Sequence, residues 1–189
     1  MPRRHRVWYI GAIYHITARG NRRSPIFQSR EDYICYLGIL MDVRSTYPFI
    51  LHSYCLMTNH IHLQIETIDH HISLIMKEVQ SRYAVYFNKK YGYVGHVFQG
   101  RYGSKLINSL RYFLDASRYI HRNPLEADMI SELSSYEWSS YPAYLNLLEN
   151  PYVDLEKTLS YIPEPKIEQY RLFVEKQTLV EEENEMVTE

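Results

Sequence analysis

The sequence predicts an α+β fold, an antiparallel sheet with helices on one face, followed by a helical extension. Three observations carry this. Apolar residues alternate with polar ones along 7–20 and fill the short runs 49–58 and 60–67, as strands require. Residues 29–47, 72–92 and 109–123 instead read as helices with apolar stripes. The resulting order is strand, helix, strand, strand, helix, strand, helix, a split βαβ arrangement whose helices gather on one side of the sheet.

The first strand, VWYIGAIYHITARG, ends at a Gly20-Asn21 turn. Ser29 caps the first helix, Glu31 and Asp32 occupy its first turn, and Tyr33, Ile34, Leu37, Leu40 and Met41 form its stripe. Two strands then follow with almost no gap, FILHSYCLMT and HIHLQIET, which predicts a hairpin. Gly92 closes the second helix. GHVFQGRYGSKLI (95–107) is punctuated by glycine and reads as a strand or an ordered loop. The third helix is expected to stop at Pro124, leaving the Asn123 side chain free at a helix end. From EWSSYPAYL onward the chain reads as helical and polar, and VEEENEMVTE as a frayed end.

Charge divides the chain. Residues 1–148 hold 17 Lys and Arg against 11 Asp and Glu, whereas 149–189 hold 4 against 11. The expected organisation is a basic body over 1–148 with an acidic, partly helical extension over 149–189. A basic body suits an anionic partner. Nineteen tyrosines are many, and tyrosine suits surfaces on which bases stack. Cys35 and Cys55 have no Cys-x-x-Cys partner, so they read as free buried thiols of a reducing compartment rather than as a zinc site. The basic N-terminus lacks the apolar run of a secretion signal, and no stretch is long enough to span a bilayer. The expected location is the cytoplasm, with no membrane contact.

His60 and His62 lie two apart on a strand, so both imidazoles point to one face and can converge on an ion. Tyr119 and Asn123 are spaced i, i+4 on one face of the third helix. Should that helix cross the histidine face, two imidazoles and an amide oxygen form a three-ligand set with open positions. Such a set suits Mg²⁺ or Mn²⁺ engaging a phosphate. Tyr119 beside it is then the candidate nucleophile, and Tyr112 its nearest rival. His121 points elsewhere and reads as structural. Arg19, Arg22, Arg23, Arg82, Arg101 and Lys105 are the candidate phosphate contacts, with Phe98 and Tyr102 nearby as stacking platforms.

The His60-Ile61-His62 triplet resembles the HUH motif, two histidines around a bulky apolar residue. Together with YHITARGNRRSPIF, YCLMTNHIHLQIE, GHVFQGRYGSKLI, RYIHRNPLEA and EWSSYPAYL, residues 8–147 resemble the REP-associated tyrosine transposases, relatives of the small insertion-sequence 200-like transposases. The resemblance implies a ferredoxin-like HUH nuclease domain that cleaves and rejoins single-stranded DNA, with hairpins of palindromic repeats as partner. It implies Tyr119 as the single nucleophile forming a 5′-phosphotyrosine, and His60, His62 and Asn123 as ligands of a divalent metal. It leaves monomer and homodimer both open. The sequence LEADMI after the Asn-Pro pair departs from the family's usual small or glycine-containing turn, and the acidic tail has no counterpart in the family pattern.

Two other readings remain at this point. One is a hairpin-binding module of the same fold without cleavage. The other is a metal-dependent hydrolase that uses the histidine pair and a water, with Glu66 as base.

Overall fold

The structure is a computed structural model and describes residues 7–176. The tail VEEENEMVTE lies outside the described residues. Four strands, β1 (Ile13–Arg19), β2 (Phe49–Met57), β3 (His60–Thr67) and β4 (Gly103–Ile107), form one antiparallel sheet in the order β2-β3-β1-β4. Helices α1 (Arg30–Thr46) and α2 (Ile72–Tyr91) are the crossovers of the split βαβ arrangement. Residue 52 forms a bulge between Leu51 and Ser53, where β2 slips by one against β3.

Alternation divides the sheet into two unlike faces. Tyr14, Ile16, Ala18, Leu51, Tyr54, Ile61, Leu63 and Ile65 share one face and bury it against α1 and α2. The opposite face carries His15, Thr17, Arg19, His60, His62 and Gln64, opposed in the register Arg19↔His60, Thr17↔His62, His15↔Gln64. Helix α3 (Leu110–Glu126) crosses this second face. Ile120 packs on Cys55 and Met57, Phe113 meets His52 ring to ring at 5.1 Å, and Gln64 Nε2 donates to the Phe113 carbonyl at 3.0 Å.

Three short helices finish the described chain: α4 (Tyr141–Tyr144), α5 (Glu156–Ser160) and α6 (Lys166–Glu175). They close a second apolar cluster of Leu133, Tyr141, Tyr144, Leu145, Ile162, Tyr170 and Val174, drawn from both sides of position 148. A buried polar network ties α6 to α3. The Tyr170 hydroxyl lies 2.8 Å from Ser117 Oγ and 2.9 Å from His121 Nδ1, and His121 Nε2 reaches Ser140 Oγ at 2.7 Å. His121 is therefore structural, as expected.

Asp32 makes the other polar clamp. It accepts from the Gln28 and Ser29 amides, from the Tyr86 and Tyr91 hydroxyls, and from Lys90. Burial works against its charge, but Lys90 and these donors outweigh burial and bring its pKa down to about 2. The clamp fastens the start of α1 to the end of α2.

Several expectations require correction. Helix α3 does not stop at Pro124 but continues to Glu126. The missing proline N–H falls in the last turn, where it removes one helix bond. The turn closes regardless, through Ala127 N to Asn123 O and Met129 N to Pro124 O. Regular strand structure begins at Ile13 rather than at residue 7, and β4 begins at Gly103. Within 95–102 an ordered loop runs instead, pairing once with the first turn at Phe98↔Gly20. Phe98 and Tyr102 are both buried in the main core, which removes them as stacking platforms. Ten of the nineteen tyrosines are likewise buried, so most of this composition serves packing. Cys55 is a buried free thiol; Cys35 is only half-buried.

Burial pushes the His121 pKa down from 6.5 to about 3, so the folded protein excludes a proton that the unfolded chain binds across that window. Its contribution is therefore intact above the unfolded value and lost as pH falls toward the folded one. Below 6.5, wild type should lose about 1.4 kcal/mol of stability per pH unit more than His121→Gln. Denaturant melts of both proteins over that range check the slope; parallel curves contradict the assignment.

Candidate active site

Between α3 and the exposed part of the second sheet face lies a cleft of about 850 Å³. Its lining includes His15, Thr17, His60 and His62 from the central strands and Gln99, Arg101 and Lys105 from β4 and the preceding loop. Tyr112, Asp115 and Tyr119 contribute from α3. Gly103 sits opposite Thr17 in register, and a Cβ there would come within 2.6 Å of Thr17 Oγ1. Glycine thus lets β4 approach the cleft floor without filling it.

The structure brings together the four residues expected to carry chemistry. The His60 and His62 rings lie 5.1 Å apart, and the Tyr119 ring stands edge-on to His62 at 5.4 Å. Tyr119 remains 45 % exposed and lines the cleft. The Asn123 side chain reaches His60 in a contact that favours a charged ring, which places the amide oxygen against the imidazole. This orientation follows from chemistry, because the Asn123 amide nitrogen donates to the Tyr119 carbonyl at 2.8 Å. Asn123 is thus held within the helix, not freed by its end.

The strand pairing adds a third histidine that sequence spacing did not reveal. His15 Nε2 lies 3.0 Å from His62 Nδ1, and the Tyr119 ring meets His15 at 5.6 Å. Burial, then the charge of Lys105, lowers the His15 pKa to about 4. Burial, then His15, His60 and Arg19, lowers that of His62 to about 3. His60 is also lowered by burial, against the opposing effect of Asn123. All three rings are neutral at physiological pH, the state in which imidazole can donate a lone pair to a metal. Among the described residues, no group of three or more His, Cys, Asp or Glu side chains could hold a metal ion. His60, His62 and Asn123 form a mixed set of two imidazoles and an amide oxygen.

That set fits a cation on one local observation. Asn59 Oδ1 is 2.7 Å from His60 Nδ1, and an amide oxygen can only accept. His60 therefore carries its proton on Nδ1 and keeps the Nε2 lone pair. With Nδ1 engaged by Asn59, Nε2 is the nitrogen left for the Asn123 oxygen. Two acceptors facing each other are bridged either by a proton or by a metal cation, so the residues present fit a divalent ion.

The expected phosphate contacts separate into three groups. Arg19, Arg101 and Lys105 line the cleft. Arg22 and Arg23 sit exposed on the turn Asn21–Arg23 beside the β2–β3 hairpin tip. Both adopt left-handed backbone angles, φ 52° and 61°, a strain of about 1–2 kcal/mol each. Gly20 makes that turn possible: a Cβ there would lie 2.1 Å from the Ser24 carbonyl oxygen. Arg82 is the exception. It is on α2, across the sheet from the cleft, and pairs with Glu78 at 3.5 Å.

Glu66 shares the histidine face but is already engaged, with His52 Nε2 at 2.8 Å and Lys157 Nζ at 2.6 Å. Four residues of strand separate it from His62, about 13 Å. The carboxylate that does line the cleft is Asp115, 3.7 Å from Arg111. Tyr112 lines the same cleft, half-buried and with its pKa raised by burial.

Comparison with known proteins agrees with this architecture. Among solved structures, a REP-associated tyrosine transposase bound to a REP hairpin superposes with a TM-score of 0.66. It shares 17 % identity and is covered over 98 % of its length by 82 % of this chain. A transposase-like protein from Deinococcus radiodurans R1 gives 0.45 at 17 % identity, over 63 % of this chain and 95 % of its own. The tRNA(His) guanylyltransferase of Saccharomyces cerevisiae gives 0.47 at 9 % identity, over 90 % and 80 %. No curated protein matches the chain. The family described as "Transposase IS200 like" matches residues 9–123, which hold the whole sheet, α1, α2 and α3 as far as Asn123. The chain therefore belongs to the IS200-like transposase family.

Proposed function

We propose that this protein is a metal-dependent tyrosine endonuclease and strand transferase acting on single-stranded DNA. The observation that carries the reading is the half-exposed Tyr119 beside His62 and a His60 whose Nδ1 donates to Asn59 and whose Nε2 lone pair is thereby left free. DNA hairpins are the partner favoured by the REP-bound relative. A Mg²⁺ or Mn²⁺ ion held by His60, His62 and Asn123 would polarise the scissile phosphate and offset the charge that develops on it.

The chain's own residues then do the following. Arg19, Arg101 and Lys105 seat the DNA backbone along the cleft by phosphate contacts that carry no sequence information. Tyr119 Oη attacks phosphorus, the bond from phosphorus to the 3′ oxygen breaks, and a 5′-phosphotyrosine forms. The phenol proton leaves to solvent and the departing 3′ oxygen takes one up. Bond count is conserved, so the 3′-OH can reverse the step and rejoin strands without an external energy source. The hydrolase reading is less favoured, because Glu66 is ion-paired and far from the histidines.

In denaturing gels with labelled hairpin DNA and Mn²⁺, wild type should form a covalent protein–DNA adduct. Tyr119→Phe and His60→Ala should form none. An undiminished adduct with Tyr119→Phe would move the nucleophile to Tyr112. Tight hairpin binding with no adduct from any protein would leave the binding-module reading standing in place of ours.

Arg101→Ala and Lys105→Ala should weaken binding of all DNA sequences alike. Each should lower the slope of log affinity against log salt by about 1. Fluorescence anisotropy at several salt concentrations measures this, with Arg82→Ala as a control whose slope stays at the wild-type value.

A further inference from the structure

Asn59 occupies the tip of the β2–β3 hairpin, one residue before His60, and lies outside the set that the proposed reaction uses. It nevertheless holds two parts of the site at once. Its side-chain nitrogen donates to the Arg23 carbonyl at 3.0 Å, and its side-chain oxygen accepts from His60 Nδ1 at 2.7 Å. Its backbone carbonyl accepts from Gly20 N at 2.8 Å, where the arginine turn begins. A carbonyl oxygen can only accept, so the bond to Arg23 determines which end of the amide is nitrogen. The other end then determines which nitrogen of His60 carries the proton. A single amide therefore joins the backbone of a strained, doubly cationic turn to the imidazole that faces Asn123.

We propose that Asn59 is a positioning residue that holds His60 in its ligating tautomer and ties it to the Arg22–Arg23 turn. A DNA phosphate on that turn and a divalent cation at His60 then strengthen each other's binding. The second half rests on the metal-assisted reading above. The strained φ angles explain why the tie matters: such a turn persists only where neighbours over-determine it, and Asn59 supplies two of the bonds that do so. Whatever the turn gains on binding DNA reaches His60 through the same amide, and by linkage the effect is reciprocal.

The test uses the full chain, ¹⁵N-histidine labelled and metal-free, at a pH well above the histidine range. NMR should show the His60 proton on Nδ1 in wild type and Asn59→Ala should lose that preference. In Mn²⁺ titrations followed by electron paramagnetic resonance, Asn59→Ala should bind about 10- to 100-fold more weakly, the usual cost of removing an outer partner of a ligating histidine. Addition of an oligothymidine should tighten Mn²⁺ binding in wild type. Asn59→Asp keeps an acceptor for His60 but cannot donate to Arg23, so it should hold the tautomer and lose that tightening. A wild-type His60 protonated on Nε2, or an Asn59→Ala protein with the wild-type tautomer and Mn²⁺ affinity, overturns the proposal. An Nδ1-protonated wild type that binds no Mn²⁺ overturns the metal reading and the coupling, and leaves the tautomer assignment standing.

Discussion

The pairing of β1 with β3 governs both stability and site. In this register Ala18, Ile16 and Tyr14 oppose Ile61, Leu63 and Ile65 on one face, and the same seven-residue ladder opposes Arg19 to His60 and Thr17 to His62 on the other. A slip of one residue would move every member of both sets to the wrong side of the sheet. The apolar face is sealed by α1 and α2, so a slip would expose the core. Burial on the back of the sheet thus fixes which face the histidines occupy on the front, and local bonds such as that from Asn59 to His60 then set the ring itself.

The third helix needs more help, because the face it crosses is polar. Gln64 anchors its first turns by donating to the Phe113 carbonyl, with Ser53 donating to the Gln64 oxygen behind it. Further along, the His121–Tyr170–Ser117 network and the bond from His121 to Ser140 hold it against α6 and the segment before α4. These buried polar groups are satisfied by one another and specify a geometry that apolar contacts alone would leave loose. The residues beyond the family match at 123 therefore bear on the position of Tyr119, although none of them enters the cleft.

Much of this was legible in the strand and helix periods. The order of elements and the shared face of His60 and His62 depend on local spacing, and the structure agrees with both; in the α1 stripe, however, Ile34 faces out, 52 % exposed, while Tyr36 and Val43 are buried instead. Tyr119 and Asn123 share a helix face for the same reason. His15 and Asn59 were not legible, because their roles depend on which strand lies beside β3 and on what the hairpin tip touches. A lone histidine forty-seven residues from its partner carries no periodic signal. Phe98 and Tyr102 erred the other way: aromatic residues beside glycine and arginine resemble an exposed binding loop, yet one bridge at Gly20 folds that loop inward and buries both. Pro124 misled because its rule concerns helix interiors, and one missing bond in a last turn is a small cost.

In the proposed reaction, tyrosine is favoured over water as nucleophile by where the carboxylates are. A water bound near His60 and His62 would need a base to take its proton, and the acids close by have other commitments. Glu66 balances His52 and Lys157 at the far end of the strand, and Asp115 pairs with Arg111 at the cleft edge. The rings themselves are neutral and have Nδ1 engaged, His60 with Asn59 and His62 with His15. A site equipped with lone pairs, an amide oxygen and basic walls can hold a cation and a phosphate, but it is poorly equipped to activate water. Tyr119, edge-on to His62 and open to solvent, brings its own oxygen to that place.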